Sequence, residues 1–243
     1  MSEQFILEAG GVCKHFGRLQ VLHGVDVSLR QGEALGVVGP NGAGKTTLFS
    51  VLAGTVPASS GSVRFDGKPI DTWDAARRCR AGIARTHQVP RPFLNLSVFD
   101  NTLVAAQHGA GLRGPQAERA VLDSLERCGL TAMAQRPAAS LGLMDRKRLE
   151  LARALATGPR VLLLDEIGGG LTEAELIHLS GLVASLRDEG LTVVWIEHVL
   201  HALLKVVDRL VCMDAGTVLA QGDPHTVMND PQVVEAYLGG VPA

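Results

Sequence analysis

Gly39-Pro40-Asn41-Gly42-Ala43-Gly44-Lys45-Thr46-Thr47 is a phosphate-binding loop with every required position filled. Gly39, Gly42 and Gly44 let backbone N–H groups turn inward with no Cβ in the way. The positive end of the helix that follows adds to the cradle. Lys45 is placed to reach the β- and γ-phosphates of a nucleoside triphosphate, and the Thr46 hydroxyl to ligate Mg²⁺. The flanks suit the motif. Leu35-Gly36-Val37-Val38 reads as a short buried strand, and Lys45 to Ala53 as a helix stopped by Gly54.

Composition bounds what such a loop serves. At 243 residues the chain is long enough for one large α/β domain, or one domain with an insertion. A 46% hydrophobic and 20% charged make-up excludes disorder. A formal net charge of -2 gives no basic field for nucleic acid, so no nucleic-acid partner is expected. No apolar stretch is long enough to span a bilayer, and Met1-Ser2-Glu3-Gln4 lacks the form of a secretory signal. Any link to a membrane is expected to run through a partner. Cys13, Cys79, Cys128 and Cys212 form no metal-type pair and read as thiols in a reducing cytosol.

Strand and helix alternate along the chain. Leu162 to Asp165, Thr192 to Glu197 and Leu210 to Met213 are apolar on consecutive positions, the habit of strands covered on both faces of a parallel sheet. Between the first two, Thr172 and Glu175 form a capping box for a helix whose Leu176, Leu179, Val183 and Leu186 recur at helical spacing; Gly190 ends it. Phe5 to Leu29 and Ser62 to Ile70 read instead as an antiparallel layer, with a turn at Phe65-Asp66-Gly67-Lys68. Pro90 to Thr157 is helix-rich. Helices are expected over Glu118 to Cys128 and Asp145 to Ala156, with a loop over Gly109 to Pro115. The fold class is thus α/β: a nucleotide-binding core with a mainly parallel sheet (1-87 and 158-243), an N-terminal antiparallel layer, and an inserted helical subdomain (88-157).

Val161-Leu162-Leu163-Leu164-Asp165-Glu166 is a second chemical element. A hydrophobic strand delivering an acid at its carboxyl end holds Mg²⁺ opposite a phosphate loop, and Asp165 is the candidate. Glu166, next in line, can polarise an attacking water as general base.

The phosphate loop, Gln88 after Gly82 to Thr86, the Asp165-Glu166 pair and His198 after Thr192 to Glu197 stand in the order found in the ATP-binding subunits of ABC transporters. The resemblance covers essentially the whole chain. Within the family the chain resembles the subunits serving branched-chain amino acid importers. Ile83 to Gln88, Lys147 to Ala156, Trp195 to His198 and the tail Glu235-Ala236-Tyr237-Leu238-Gly239 carry that likeness, and importers of urea or other amides share these segments. The resemblance implies ATP and Mg²⁺ as ligands, with Phe16 stacking on adenine and Gln88 touching Mg²⁺ and the water. It also implies that His198 contacts the γ-phosphate. Further implied are a second ATPase subunit, transmembrane permease subunits, an indirect periplasmic or extracellular substrate-binding protein, and a place on the cytoplasmic face of the membrane. An exporter motor of the lipopolysaccharide type, or an ATP switch outside transport, is the alternative. His201, one turn after His198, has no carboxylate or cysteine at ligand spacing and is not read as a metal ligand.

Departures from the family pattern are local. Leu141-Gly142-Leu143-Met144-Asp145 stands where a Leu-Ser-Gly-Gly-Gln-like signature is usual: Gly142 replaces the serine hydroxyl and Met144 a glycine, while Asp145 is expected to cap the helix it starts. Ile167 replaces a proline, and Gly168 to Thr172 is unusually glycine-rich. Val89-Pro90-Arg91-Pro92-Phe93-Leu94, just past Gln88, is a stiffened segment expected to line a groove for a helix of the membrane subunit.

Overall fold

The apolar runs around the phosphate loop are strands with every residue buried: β3 (Ala34–Val38), β7 (Val161–Asp165) and β8 (Thr192–Ile196). With β6 (Ile83–Arg85), β9 (Arg209–Asp214) and β10 (Thr217–Gly222) they form a six-stranded sheet in the order β10-β9-β3-β8-β7-β6. All pairs are parallel except β9 with β10. The register sets Val37 beside Ile196 and Ile196 beside Asp165, so the carboxyl ends of these strands finish at one level. That is the edge at which open α/β sheets bind ligands. The structure, a computed structural model, describes residues 5–238; the start Met1 to Gln4 and the tail residue Gly239 lie outside the described residues.

Alternation along β7 and β8 splits the core between two faces. Leu162, Leu164, Val193 and Trp195 join the helical side, whereas Val161, Leu163, Val194 and Ile196 join the other. On that other side lies the expected antiparallel sheet, β2-β1-β4-β5, built from β1 (Phe5–Phe16), β2 (Leu19–Arg30), β4 (Ser60–Phe65) and β5 (Lys68–Pro69). Its β4–β5 turn puts Asp66 and Gly67 at φ 52 and 71, the conformation that a tight two-residue hairpin requires. Between the sheets lies α1 (Lys45–Leu52), whose last carbonyls, Val51 and Leu52, accept from the buried Arg78 guanidinium on α2 (Ala75–Ala81). This arginine fixes the far end of the helix that begins at the phosphate loop.

The helical side holds α3 (Val98–His108), α4 (Gly114–Arg127) and α5 (Leu143–Leu155), packed on one another, together with α6 (Glu173–Asp188). Thr172 and Glu175 make the reciprocal capping box of α6. Two helix starts differ from expectation. Helix α4 begins at Gly114 rather than Glu118, because Pro115 fits the first turn, where no N–H is needed. Helix α5 begins at Leu143 with Gly142 at its N-cap, so Asp145 does not cap it. Instead Asp145 sits inside the first turn, where the helix dipole favours an acid, and pairs with Arg148 at 3.4 Å. The chain closes with α7 (Leu200–Leu203), α8 (Pro224–Met228) and α9 (Pro231–Leu238).

Candidate functional site

The loop after β3 is held open from behind. A Cβ at Gly39 (φ +143) would lie 2.0 Å from the Met213 carbonyl oxygen, and one at Gly44 (φ +96) would lie 2.8 Å from Leu22. Only glycine fits either place. Gly44 is the N-cap of α1 and supplies no side chain, so the first-turn N–H groups stay available to a ligand. Residues Asn41 to Thr47, with Val21 and Glu166, line a cavity of about 190 Å³. Lys45 is buried beside it, and its ammonium donates to the carbonyls of Gly39 (2.7 Å) and Pro40 (3.0 Å). Burial pulls its pKa below the ordinary lysine value, with the Glu166 charge chief among those opposing the shift. A buried cation beside a concave set of amides fits a polyphosphate.

Four strand ends converge on that cavity. Glu166, one residue past β7, has φ 46, a left-handed conformation costly for a side-chain-bearing residue, and its N–H donates to the Ile196 carbonyl at 2.9 Å. The bend aims its carboxylate between two residues from other strands. Gln88 Nε2 donates to Glu166 Oε2, and His198 Nε2 lies 2.8 Å from Glu166 Oε1. Of the four residues that the sequence offers as catalytic, Gln88 and His198 each contact Glu166, and Lys45 lines the same cavity. Asp165 is 3% exposed and accepts from Arg85 at 2.6 Å; the same guanidinium reaches Ser50 on α1 at 3.1 Å. With the Thr46 hydroxyl and the Gln88 amide, the Asp165 carboxylate offers the hard oxygen donors that Mg²⁺ takes. Phe16 is 49% exposed beneath the Lys14 ammonium, 5.0 Å from its ring centre, so it is not a core residue. It stands at the β1–β2 turn, on the hairpin that also contributes Val21 to the cavity.

Sequence reasoning missed the residues that brace this group. Glu197 is buried; one carboxylate oxygen accepts from the Gly168 N–H (3.0 Å) and the other from the His198 N–H (2.9 Å). A Cβ at Gly168 would come within 2.7 Å of that carboxylate, which accounts for the first glycine of the unusual run. Lys147 on α5 donates to the Gln88 carbonyl at 2.6 Å. One turn on, Glu150 accepts from the His87 N–H and lies 2.8 Å from His87 Nδ1. Burial works to raise the Glu150 pKa, but the His87 hydrogen bond and the Arg153 charge bring it below the ordinary value. Lys147, Glu150 and Arg153 recur every three residues, a one-face pattern visible in the sequence; nothing in the sequence pairs Arg85 with Asp165. Among the described residues His201 pairs with Glu173 alone, at 3.9 Å, and no cluster suited to a metal ion by itself is found. The four cysteines are free thiols.

The family model "ABC transporter" matches residues 22–168, which include the phosphate loop and the strand ends that carry Gln88, Asp165 and Glu166, but neither Phe16 nor His198. The chain belongs to the ABC transporter ATP-binding family. It is an ATP-hydrolysing cassette. A second model, "Branched-chain amino acid ATP-binding cassette transporter", matches residues 217–243. The cassette is 37% identical to the high-affinity branched-chain amino acid transport ATP-binding protein BraF of Pseudomonas aeruginosa, over 96% of this chain and 98% of that protein. It is 35% identical to LivG, of the same description, from Escherichia coli K12, over 97% and 98%. Among solved structures, the ADP conformation of an ATP-binding cassette of an ABC transporter superposes with a TM-score of 0.87 at 30% identity, over 97% of this chain and 99% of that one. A nucleotide-free cassette superposes with a TM-score of 0.86, also at 30% identity, over 96% and 98%. No helix among the described residues of the cassette is long and apolar enough to cross a membrane.

Proposed function

We propose that this cassette powers import of branched-chain amino acids or related amides, docked on permease subunits at the cytoplasmic face of the membrane. The names of its relatives and the 217–243 match support the substrate class. The chemistry rests on one observation: a Glu166 carboxylate at the cavity wall, bent there by φ 46 and flanked by Gln88 and His198. In this reading Lys45 and backbone amides of the Asn41 to Thr47 stretch that lines the cavity grip the triphosphate, Phe16 stacks on the base, and Glu166 takes the proton of the attacking water. His198 holds the γ-phosphate side, and Gln88 orients the water. Thr46, Asp165 and Gln88 would hold Mg²⁺, which when bound would neutralise charge on the phosphate oxygens. ATP closes the cassette against a second ATPase subunit, and residues 88–157 move as one helical unit because Lys147 and Glu150 grip the segment at Gln88. The test is ATP hydrolysis and uptake by the reconstituted complex across candidate amino acids and amides. No stimulation by any of them would remove the substrate assignment.

Val89, Phe93 and Leu94 are 68%, 50% and 49% exposed, a cluster of large apolar side chains immediately after Gln88. The Phe93 N–H and carbonyl are both tied to the Asn101 amide, so the segment is presented in a fixed shape. It suits the cytoplasmic helix of a permease. Phe93→Asp with Leu94→Asp is expected to lower uptake by about tenfold or more while the isolated cassette binds ATP normally, since hot-spot losses of this kind exceed 2 kcal/mol. Unchanged uptake removes the docking assignment.

The α5 N-terminus makes the two sites of a heterodimer unequal in this reading. Its cap, Gly142, offers no hydroxyl, and Leu143 is 44% exposed in front of it. This chain's own loop, Glu166 and His198 are complete, so the slower site is the one that Leu141 to Asp145 finishes on the partner. Gly142 has φ -67 and open space around a built Cβ, so serine fits there. Gly142→Ser is expected to speed hydrolysis at the partner's site by about 10-fold, one charge-assisted hydrogen bond. The readout is turnover in a complex whose other site is silenced by Glu166→Gln. No acceleration rejects the asymmetry.

A further inference from the structure

The chain has one tyrosine, and it touches the phosphate loop from 198 positions away. The Gly39 N–H donates to the Tyr237 hydroxyl at 2.8 Å, while the Gly39 carbonyl accepts from Lys45 at 2.7 Å. Gly39 is buried, so both halves of its polar backbone depend on side chains. One of the two is the phosphate-binding lysine. The other belongs to α9, near the end of the region matched by the branched-chain cassette model.

Helix α9 brings that tyrosine, 36% exposed, to the edge of the loop. Asp230 stands just before it, with its carboxylate accepting from the Gln232 N–H at 2.8 Å and its carbonyl from the Val234 N–H at 2.9 Å. Val233 is fully buried in the core, and Tyr237 lies four residues on, on the same face. The Met213 carbonyl blocks Gly39 from behind, so the loop's first residue is fixed on three sides. Partial burial pushes the Tyr237 phenol up to about 12, and, like any tyrosine near neutral pH, it faces the loop as an uncharged hydroxyl that adds no negative charge near a phosphate.

We propose that Tyr237 is a positioning residue for nucleotide binding: its hydroxyl holds the Gly39 amide and keeps the phosphate loop in the shape that receives the triphosphate. The C-terminal helix thereby becomes a determinant of ATP affinity without touching ATP. This inference rests on the reading that the loop binds ATP.

Tyr237→Phe keeps the ring and removes only the acceptor, leaving a buried N–H without a partner. Titration calorimetry with ATP and Mg²⁺ on the full chain is expected to show a Kd about tenfold weaker than wild type, the worth of one lost hydrogen bond. Turnover at saturating ATP should stay within about twofold, so that KM moves and kcat does not. Hydrogen exchange at the Gly39 amide should quicken in Tyr237→Phe while amides of α6 stay protected, a readout that holds even for a variant of lowered stability. A wild-type Kd in Tyr237→Phe overturns the proposal, whatever its melting temperature. A wild-type chain that takes up no ATP overturns it together with the reading beneath it.

Discussion

Glu166→Gln lowers steady-state ATP hydrolysis by about 10²–10⁴-fold and leaves ATP binding intact, the loss expected for removing a positioned general base. The substitution is close to isosteric, and the backbone at φ 46 is held by the Glu166 N–H bond to Ile196, which the new side chain does not touch. What changes is basicity: an amide oxygen does not take up the proton that a carboxylate does. Binding has no reason to weaken, because the cavity wall loses a negative charge that faced the triphosphate. Affinity should hold or rise, so the signature is a fall in kcat without a rise in Kd. Single-turnover hydrolysis alongside calorimetry separates the two. Normal turnover would falsify the assignment and shift attention to His198, the other titratable group in contact with Glu166.

The parts of this site legible in the sequence are those that local rules dictate. Strands buried on both faces show as unbroken apolar runs, so β3, β7 and β8 stand out in the sequence, and the run before Asp165-Glu166 marks that pair as a strand end. The glycines of the loop and the Thr172–Glu175 box are equally local. Gln88 and His198 carry no such signal. Their order beside the other motifs, through family resemblance, singled them out. Arg85 on Asp165, Glu197 on Gly168, Lys147 on Gln88 and Tyr237 on Gly39 were hidden for one physical reason. Each is a side chain meeting its partner across 29 to 198 residues, and no periodicity encodes such a meeting. The start of α4 differs from the local signal for the opposite reason: Gly114-Pro115 reads locally as a turn, yet proline in a first helical turn costs nothing.

Lys45→Ala abolishes useful ATP binding, by about 10²–10⁴-fold in Kd, because two charge-assisted hydrogen bonds of roughly 1.5–3 kcal/mol each are lost from the triphosphate. The cost to the empty protein is of a different kind. The Gly39 and Pro40 carbonyls lose their donor, but the fold is also relieved of a buried ammonium. Its folded-state pKa lies below the unfolded value, so the charged form is the one that folding disfavours. Between the two pKa values the unfolded chain binds more protons, and wild-type stability rises with pH across that window, just under the ordinary lysine pKa. Alanine removes this dependence. The two contributions oppose each other, so the melting temperatures of empty wild type and variant should stay close. They should part when ATP and Mg²⁺ are added. At a hundred times its Kd the nucleotide stabilises wild type by about 2.7 kcal/mol, and the variant by almost nothing. For a chain of this size that is an upward shift of about 5–10 °C in one and none in the other. Glu166→Gln should keep the shift and lose turnover, whereas Lys45→Ala should lose both. A Lys45→Ala protein that still melts higher with ATP means that the amide cradle and α1 suffice to hold the triphosphate, and that the lysine's place is in the transition state instead.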